Sequence, residues 1–229
     1  SGRAEPAPRA PERQPTRSRK RRWPVALAFA ASLTAVALLY VLRPVVIEVP
    51  LGETQTVRLA DGSVLELNSG ASLHYDRNFG DERVVRLRGE AFFDVAHDTR
   101  PFVVETFNSK IRVLGTTFNV QAWDRRARTV VALESGRVEV SSREAATPVV
   151  LEPGQTMHVV PDAHQVTEPD DMLLASSLAW RSGDFLYPDE ALEVILEDVE
   201  RRFDVSIRLE PTSLGDKRPR YERKNPESA

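Results

Sequence analysis

From Trp23 to Leu42 no side chain carries a charge, and Arg17, Arg19, Lys20, Arg21 and Arg22 stand directly before that run. A helix rises about 1.5 Å per residue, so about 20 such residues cross about 30 Å of hydrocarbon. Each Arg or Lys at the bilayer centre costs about 2.5–3.5 kcal/mol on insertion scales, so a charge-free run of this length constrains the chain strongly. It predicts a transmembrane helix over residues 23–42. Pro24 falls in the first turn, where a missing N–H costs little. Trp23 and Tyr40 fall near the two ends, where amphipathic rings settle. A cleaved signal peptide is the rival reading, kept open by the Ala-rich stretch Ala26–Ala31. Its apolar region is shorter, about 7–15 residues, and ends in small residues; this run ends Leu38-Leu39-Tyr40-Val41-Leu42-Arg43.

The basic flank sets the orientation, because Lys and Arg stay on the cytoplasmic side. The N-terminus is expected inside and everything after Arg43 outside. Charge follows the same division. Residues 1–22 hold eight basic groups against Glu5 and Glu12, a balance of +6; the whole chain carries −3, so the remainder carries −9. An acidic folded part argues against nucleic-acid binding, which needs a basic face. With no cysteine, disulfides, thiolate nucleophiles and Cys-ligated zinc are excluded.

Residues 1–22 are rich in Pro, Arg and Ala and read as a disordered cytoplasmic linker. A start at Ser1 without Met is read as the sign of a preceding domain. From 45 to 166 short alternating runs are punctuated by Gly89, Gly115, Gly136 and Gly154, at spacings near those of an all-β sandwich, barrel or solenoid-like sheet. Separate strands are expected at Arg83–Leu87 and Glu90–Val95. Around Asp61-Gly62 the register can be worked out. A two-residue loop would mix the faces. A three-residue loop, Ala60-Asp61-Gly62, pairs Val57 with Leu65 and sets Val57, Leu59, Leu65 and Leu67 on one face. Asp61-Gly62-Ser63 is therefore a turn rather than a nucleophile site.

Pro161–Asp171 reads as a polar linker. Residues 178–210 read as a small βαβ unit: a strand at Trp180–Tyr187, a helix at Asp189–Phe203 with Leu192, Ile195, Leu196, Val199 and Phe203 at helical spacing, and a strand at Val205–Leu209. Residues 215–229 lack apolar periodicity and read as a disordered tail.

Chemistry is sparse. His74, His97, His158 and His164 lie far apart in sequence and read as surface or strand residues rather than ligands, and no metal or cofactor is expected. Glu90 and Asp94 flank Phe92-Phe93 and could form an acid pair, the basis of an alternative reading as a membrane-anchored periplasmic enzyme acting on glycans. A structural anchor without signalling is a third. Gly115-Thr116 lies between two strands, and a Thr hydroxyl can attack the carbonyl before it when that peptide is bent.

Five segments carry a resemblance: Leu59–Leu73 (LADGSVLELNSGASL), Arg86–Ala96 (RLRGEAFFDVA), Arg100–Val104 (RPFVV), Val113–Val120 (VLGTTFNV) and Leu133–Val140 (LESGRVEV). In this order they resemble the FecR family, single-pass sigma-factor regulators of Gram-negative inner membranes. Trp180–Leu209 is similar to the start of the family's C-terminal unit, akin to the signalling domain of secretins and TonB-dependent receptors. The resemblance implies an anti-sigma factor that relays a periplasmic signal, of the iron and siderophore type, from a TonB-dependent outer-membrane receptor to an extracytoplasmic-function sigma factor. The sigma factor would be met through an N-terminal domain absent from this chain. It further implies self-cleavage at Gly115-Thr116, with Thr116 as nucleophile, and no other enzymatic activity. An exposed strand edge carrying Trp180, Phe185 and Leu186 is the expected place for the receptor to add a strand.

Overall fold

The computed structural model describes residues 43–142, 147–160, 163–209 and 221–223. The expected transmembrane helix and cytoplasmic linker lie outside these. Among the described residues no helix is long and apolar enough to cross a membrane.

Thirteen strands build a two-layer sandwich. They are β1 (Val45–Glu48), β2 (Gln55–Arg58), β3 (Val64–Leu67), β4 (Ser72–Tyr75), β5 (Arg83–Asp94), β6 (Phe102–Glu105), β7 (Ser109–Val113), β8 (Thr117–Trp123), β9 (Arg128–Ser135), β10 (Val138–Ser142), β11 (Val149–Leu151), β12 (Thr156–Val160) and β13 (Ala163–Val166). The first sheet runs β1-β4-β5-β6-β7-β10-β11, and the second β2-β3-β5-β8-β9-β12-β13. Among the described strands only β5 and β6 pair in parallel. One apolar core joins the inner faces, with Leu73, Val85, Phe102 and Ile111 from one sheet and Leu65, Phe93, Phe118 and Leu133 from the other.

The mainly β expectation holds, and so does the hairpin. Val57 faces Leu65, Leu59 N–H donates to Ser63 O at 2.9 Å, and Gly62 takes φ +90°. The two strands expected on either side of Gly89 are instead one. Arg83–Arg88 pairs with β4 and β6, and Gly89–Asp94 with β3 and β8. The switch needs glycine: Gly89 has φ +99°, and a Cβ there would lie 2.7 Å from Ala71 Cα.

The strand's burial changes at the same point. In its first half inward residues alternate with Arg86 and Arg88 in solvent; Glu90 to Phe93 are all buried. The second sheet is covered on both faces, and the C-terminal layer is its outer cover. That layer comprises α1 (Asp171–Leu178), a 3-10 turn (Ala179–Ser182), β14 (Phe185–Tyr187) and α2 (Leu192–Phe203), with β15 (Tyr221–Arg223) paired antiparallel to β14.

Here the expected elements shift. Trp180 lies in the 3-10 turn, which ends at Gly183 with φ +79°, so the strand is only Phe185–Tyr187. Val205–Leu209 alternates but forms no strand: Asp204 caps α2 at φ +50°, and Ile207 N–H donates to Glu200 Oε1 at 2.6 Å. The strand partner of β14 comes from within the polar stretch 215–229. The expected linker Pro161–Asp171 instead holds β13, paired with β12, and its end opens helix α1, which Asp170 caps by accepting from Met172 and Leu173 N–H.

Candidate functional site

Gly115 and Thr116 turn the corner from β7 to β8. Groups on either side of this peptide are held from other segments of the chain. Leu114 O accepts from Asp98 N–H at 3.0 Å and from Arg83 Nη2 at 3.2 Å. Thr116 O accepts from Val95 N–H at 3.1 Å, and Thr116 Oγ1 donates to Arg137 O at 3.0 Å. Thr116 is buried.

Arg83 is the hub. It faces inward with Val85 and Leu87 and is 0% exposed. Its Nη1 donates to Asp61 Oδ2 at 2.7 Å and to Ala96 O at 2.9 Å, and its Nε to Arg100 O at 3.1 Å. Asp61 also accepts from Ser63 N–H and Oγ, and Ser63 Oγ accepts from Ala96 N–H at 3.1 Å. The Asp61-Gly62-Ser63 turn is thus a buttress for the 95–101 loop and, through Arg83, for Leu114. Two glycines leave the corner without clearance. A Cβ on Gly115 would lie 2.8 Å from His97, and one on Gly136 (φ +90°) 2.9 Å from both Gly115 O and Thr116 Oγ1. Gly115 O and Thr116 Oγ1 thus both border the space beside Gly136, with the hydroxyl turned to Arg137 O.

The C-terminal layer meets the sandwich through a polar seam. Trp180 is buried, and its Nε1–H donates to Asn119 Oδ1 at 3.2 Å. Asn119 Nδ2 donates in turn to Glu90 Oε1 at 3.0 Å, and Asn68 Nδ2 to Glu90 Oε2 at 2.8 Å. Burial, and next the nearby Asp198 charge, push the Glu90 carboxyl above its ordinary range, against the two amide donors that favour its ionised form. The seam continues with Arg126–Glu197, Arg128–Glu190 and Arg181–Glu66, and with Arg201 stacked 4.1 Å over the Trp123 ring. Gly52 N–H donates to Arg201 O at 2.9 Å.

Of the residues expected to meet a receptor, Trp180 is thus engaged within the chain, and Phe185 and Leu186 are half-buried. Phe185 stacks on Phe203, which is 60% exposed, and both border a cavity of about 440 Å³. The expected acid pair does not share a site: Asp94 is exposed, and Phe92 stands between it and Glu90 beneath the Arg181 guanidinium. Glu90 and Asp198 both border a second cleft of about 370 Å³, but each is committed to partners, Asp198 to Arg201, Arg202 and Tyr187. No group of three or more potential metal ligands occurs among the described residues.

Arg83, Gly136 and Asn119 escaped the sequence reading. An arginine at an inward position of an alternating strand, two residues before Val85, was the available signal for the first.

Residues 45–139 match the family model described as FecR protein. No curated protein matches the chain. Two crystal structures of a protein from Parabacteroides distasonis, provisionally described as an anti-sigma factor, are similar to it. One, at 2.50 Å resolution, has a TM-score of 0.73 at 31% identity and covers 80% of this chain and 85% of the other. The second, at 1.65 Å, has a TM-score of 0.72 at 31% identity over 79% and 85%. The likeness extends beyond the family segment, and with it this chain belongs to the FecR family.

Proposed function

We propose that this chain regulates an extracytoplasmic-function sigma factor from the inner membrane, as an anti-sigma factor. The reading rests on the likeness to the anti-sigma-type protein, which spans sandwich and C-terminal layer together. In this reading residues 23–42 cross the bilayer once, with the basic residues 1–22 in the cytoplasm and the sandwich in the periplasm. The signalling domain of a TonB-dependent receptor, of the iron and siderophore type, docks at the C-terminal layer. Phe185 and Leu186 supply the docking surface. The polar seam carries the event to the sandwich.

Self-cleavage at Gly115-Thr116 belongs to the same reading. Thr116 Oγ1 bonds to the Gly115 carbonyl carbon as it loses its proton, the C–N bond breaks, and the Thr116 nitrogen gains a proton. Water then cleaves the ester to a Gly115 carboxylate and a free Thr116 amine. The enclosed corner, with glycine required on both sides of the peptide, supports it.

Receptor docking is tested by capturing the full chain on the immobilised signalling domain of the cognate receptor. Phe185→Ala is expected to weaken capture; equal capture of both chains counts against the surface. Cleavage is tested by mass spectrometry of the purified chain, with fragments meeting between Gly115 and Thr116 and lost in Thr116→Ala. A wild-type chain that stays intact counts against it.

A further inference from the structure

We propose that His97 is the proton donor to the Thr116 nitrogen in self-cleavage at Gly115-Thr116, an inference that rests on the cleavage reading above. Two hydrogen bonds, Val95 N–H to Thr116 O at 3.1 Å and Asp98 N–H to Leu114 O at 3.0 Å, bracket a short antiparallel contact between the 95–98 and 114–116 segments. His97 lies between them, opposite Gly115. A Cβ on Gly115 would sit 2.8 Å from His97 Nδ1 and equally close to its Cα and Cβ. His97, its near ring nitrogen included, therefore packs against Gly115, and any larger residue there would displace it.

His97 is also held in place. Ala96 next to it donates to Ser63 Oγ and accepts from Arg83 Nη1, and Arg83 in turn grips Leu114 O beside the scissile residue. One buried guanidinium thus fixes both sides of the contact. His97 is exposed and open to water. The hydroxyl lies toward Arg137 and Gly136.

An acid is what the reaction lacks. Attack by Thr116 Oγ1 gives a tetrahedral carbon that collapses back unless the nitrogen leaves as a neutral amine, because an amide anion is the poorer leaving group. In the proposed step the Oγ1–carbon bond has formed and the Oγ1 proton has passed to water. The carbon–nitrogen bond breaks as the His97 imidazolium gives its proton to the nitrogen, and water returns a proton to the ring. No proton is consumed overall. General acid catalysis by a placed side chain contributes about 10²–10⁴-fold.

The experiment follows cleavage of freshly synthesised full chain by denaturing gel, for wild type, His97→Ala, His97→Gln and Thr116→Ala. Wild type is expected to cut, and both His97 variants to cut at least about 100-fold more slowly. Added imidazole restores cutting to His97→Ala, which a merely structural loss would not allow. Hydroxylamine, which cleaves any accumulated ester, leaves the His97 variants uncut if His97 acts in the acyl shift. Variants that cut at the wild-type rate overturn the assignment and leave self-cleavage standing. Slow variants without imidazole rescue, or with full hydroxylamine cleavage, also overturn it. An uncut wild-type chain overturns both.

Discussion

Trp180 reaches from the C-terminal layer into the second sheet and donates its indole N–H to Asn119 Oδ1 at 3.2 Å. Asn119 passes the contact to Glu90, at the centre of the strand shared by both sheets. Direct hydrogen bonds thus join the layer to the strand that organises the sandwich.

Trp180→Phe keeps most of the ring but leaves the buried Asn119 Oδ1 without its donor, at a cost of about 1–3 kcal/mol. Trp180→Ala also leaves a cavity, at about 3–5 kcal/mol. Urea unfolding of the full chain measures both, and limited proteolysis should show new cuts in residues 171–209 of the Ala variant.

Arg83→Met removes the guanidinium and leaves the Asp61 carboxylate, itself 3% exposed, without its cation. Breaking a buried pair in this way costs about 3–5 kcal/mol. A thermal melt should show a large fall, and Asp61→Asn in the same chain should recover part of it.

Gly89→Ala places a side chain at φ +99° against Ala71. The expected loss exceeds about 1 kcal/mol. A melt indistinguishable from wild type would mean that the strand can change sheets without a glycine.

Glu90 gives a pH signature. Its folded carboxyl titrates above the unfolded value of 4.5. The folded state therefore holds the proton more tightly, and this group's contribution falls as pH rises from the unfolded value through the raised folded one. Denaturant unfolding of wild type and Glu90→Gln across that window should show the decline in the former only.

If the chain is cut after Gly115, topology keeps the pieces together. The second piece supplies β8 beside β5 in one sheet and β10 beside β7 in the other. A nicked chain should elute as one species in native size exclusion and run as two bands on a denaturing gel. Separation without denaturant would contradict this pairing.

Much of the sandwich was legible because alternation and glycine punctuation are local signals. The Val57–Leu65 register followed from which residues had to share a face. The single strand Arg83–Asp94 was not legible, because Gly89 looks like a stop between two strands when it is a bend within one. The unbroken burial of Glu90 to Phe93 depends on a cover about 90 residues away in sequence, which period-2 reasoning does not see. The same distance hid the role of Trp180: an aromatic near a short strand reads as a surface anchor until Asn119 is placed beneath it. At the corner, Gly115 and Thr116 could be read from their neighbours, whereas Arg83, His97 and Gly136 reach them only through the fold.

The most direct test of the account is transcription. Output from promoters of the cognate extracytoplasmic-function sigma factor is measured in cells with the intact gene, without it, and with Trp180→Ala in the encoded chain. Deletion is expected to change that output, and Trp180→Ala to disturb its response to the inducing ligand while the protein is still present in the cells. Sigma-dependent transcription indifferent to deletion of the gene would contradict the account.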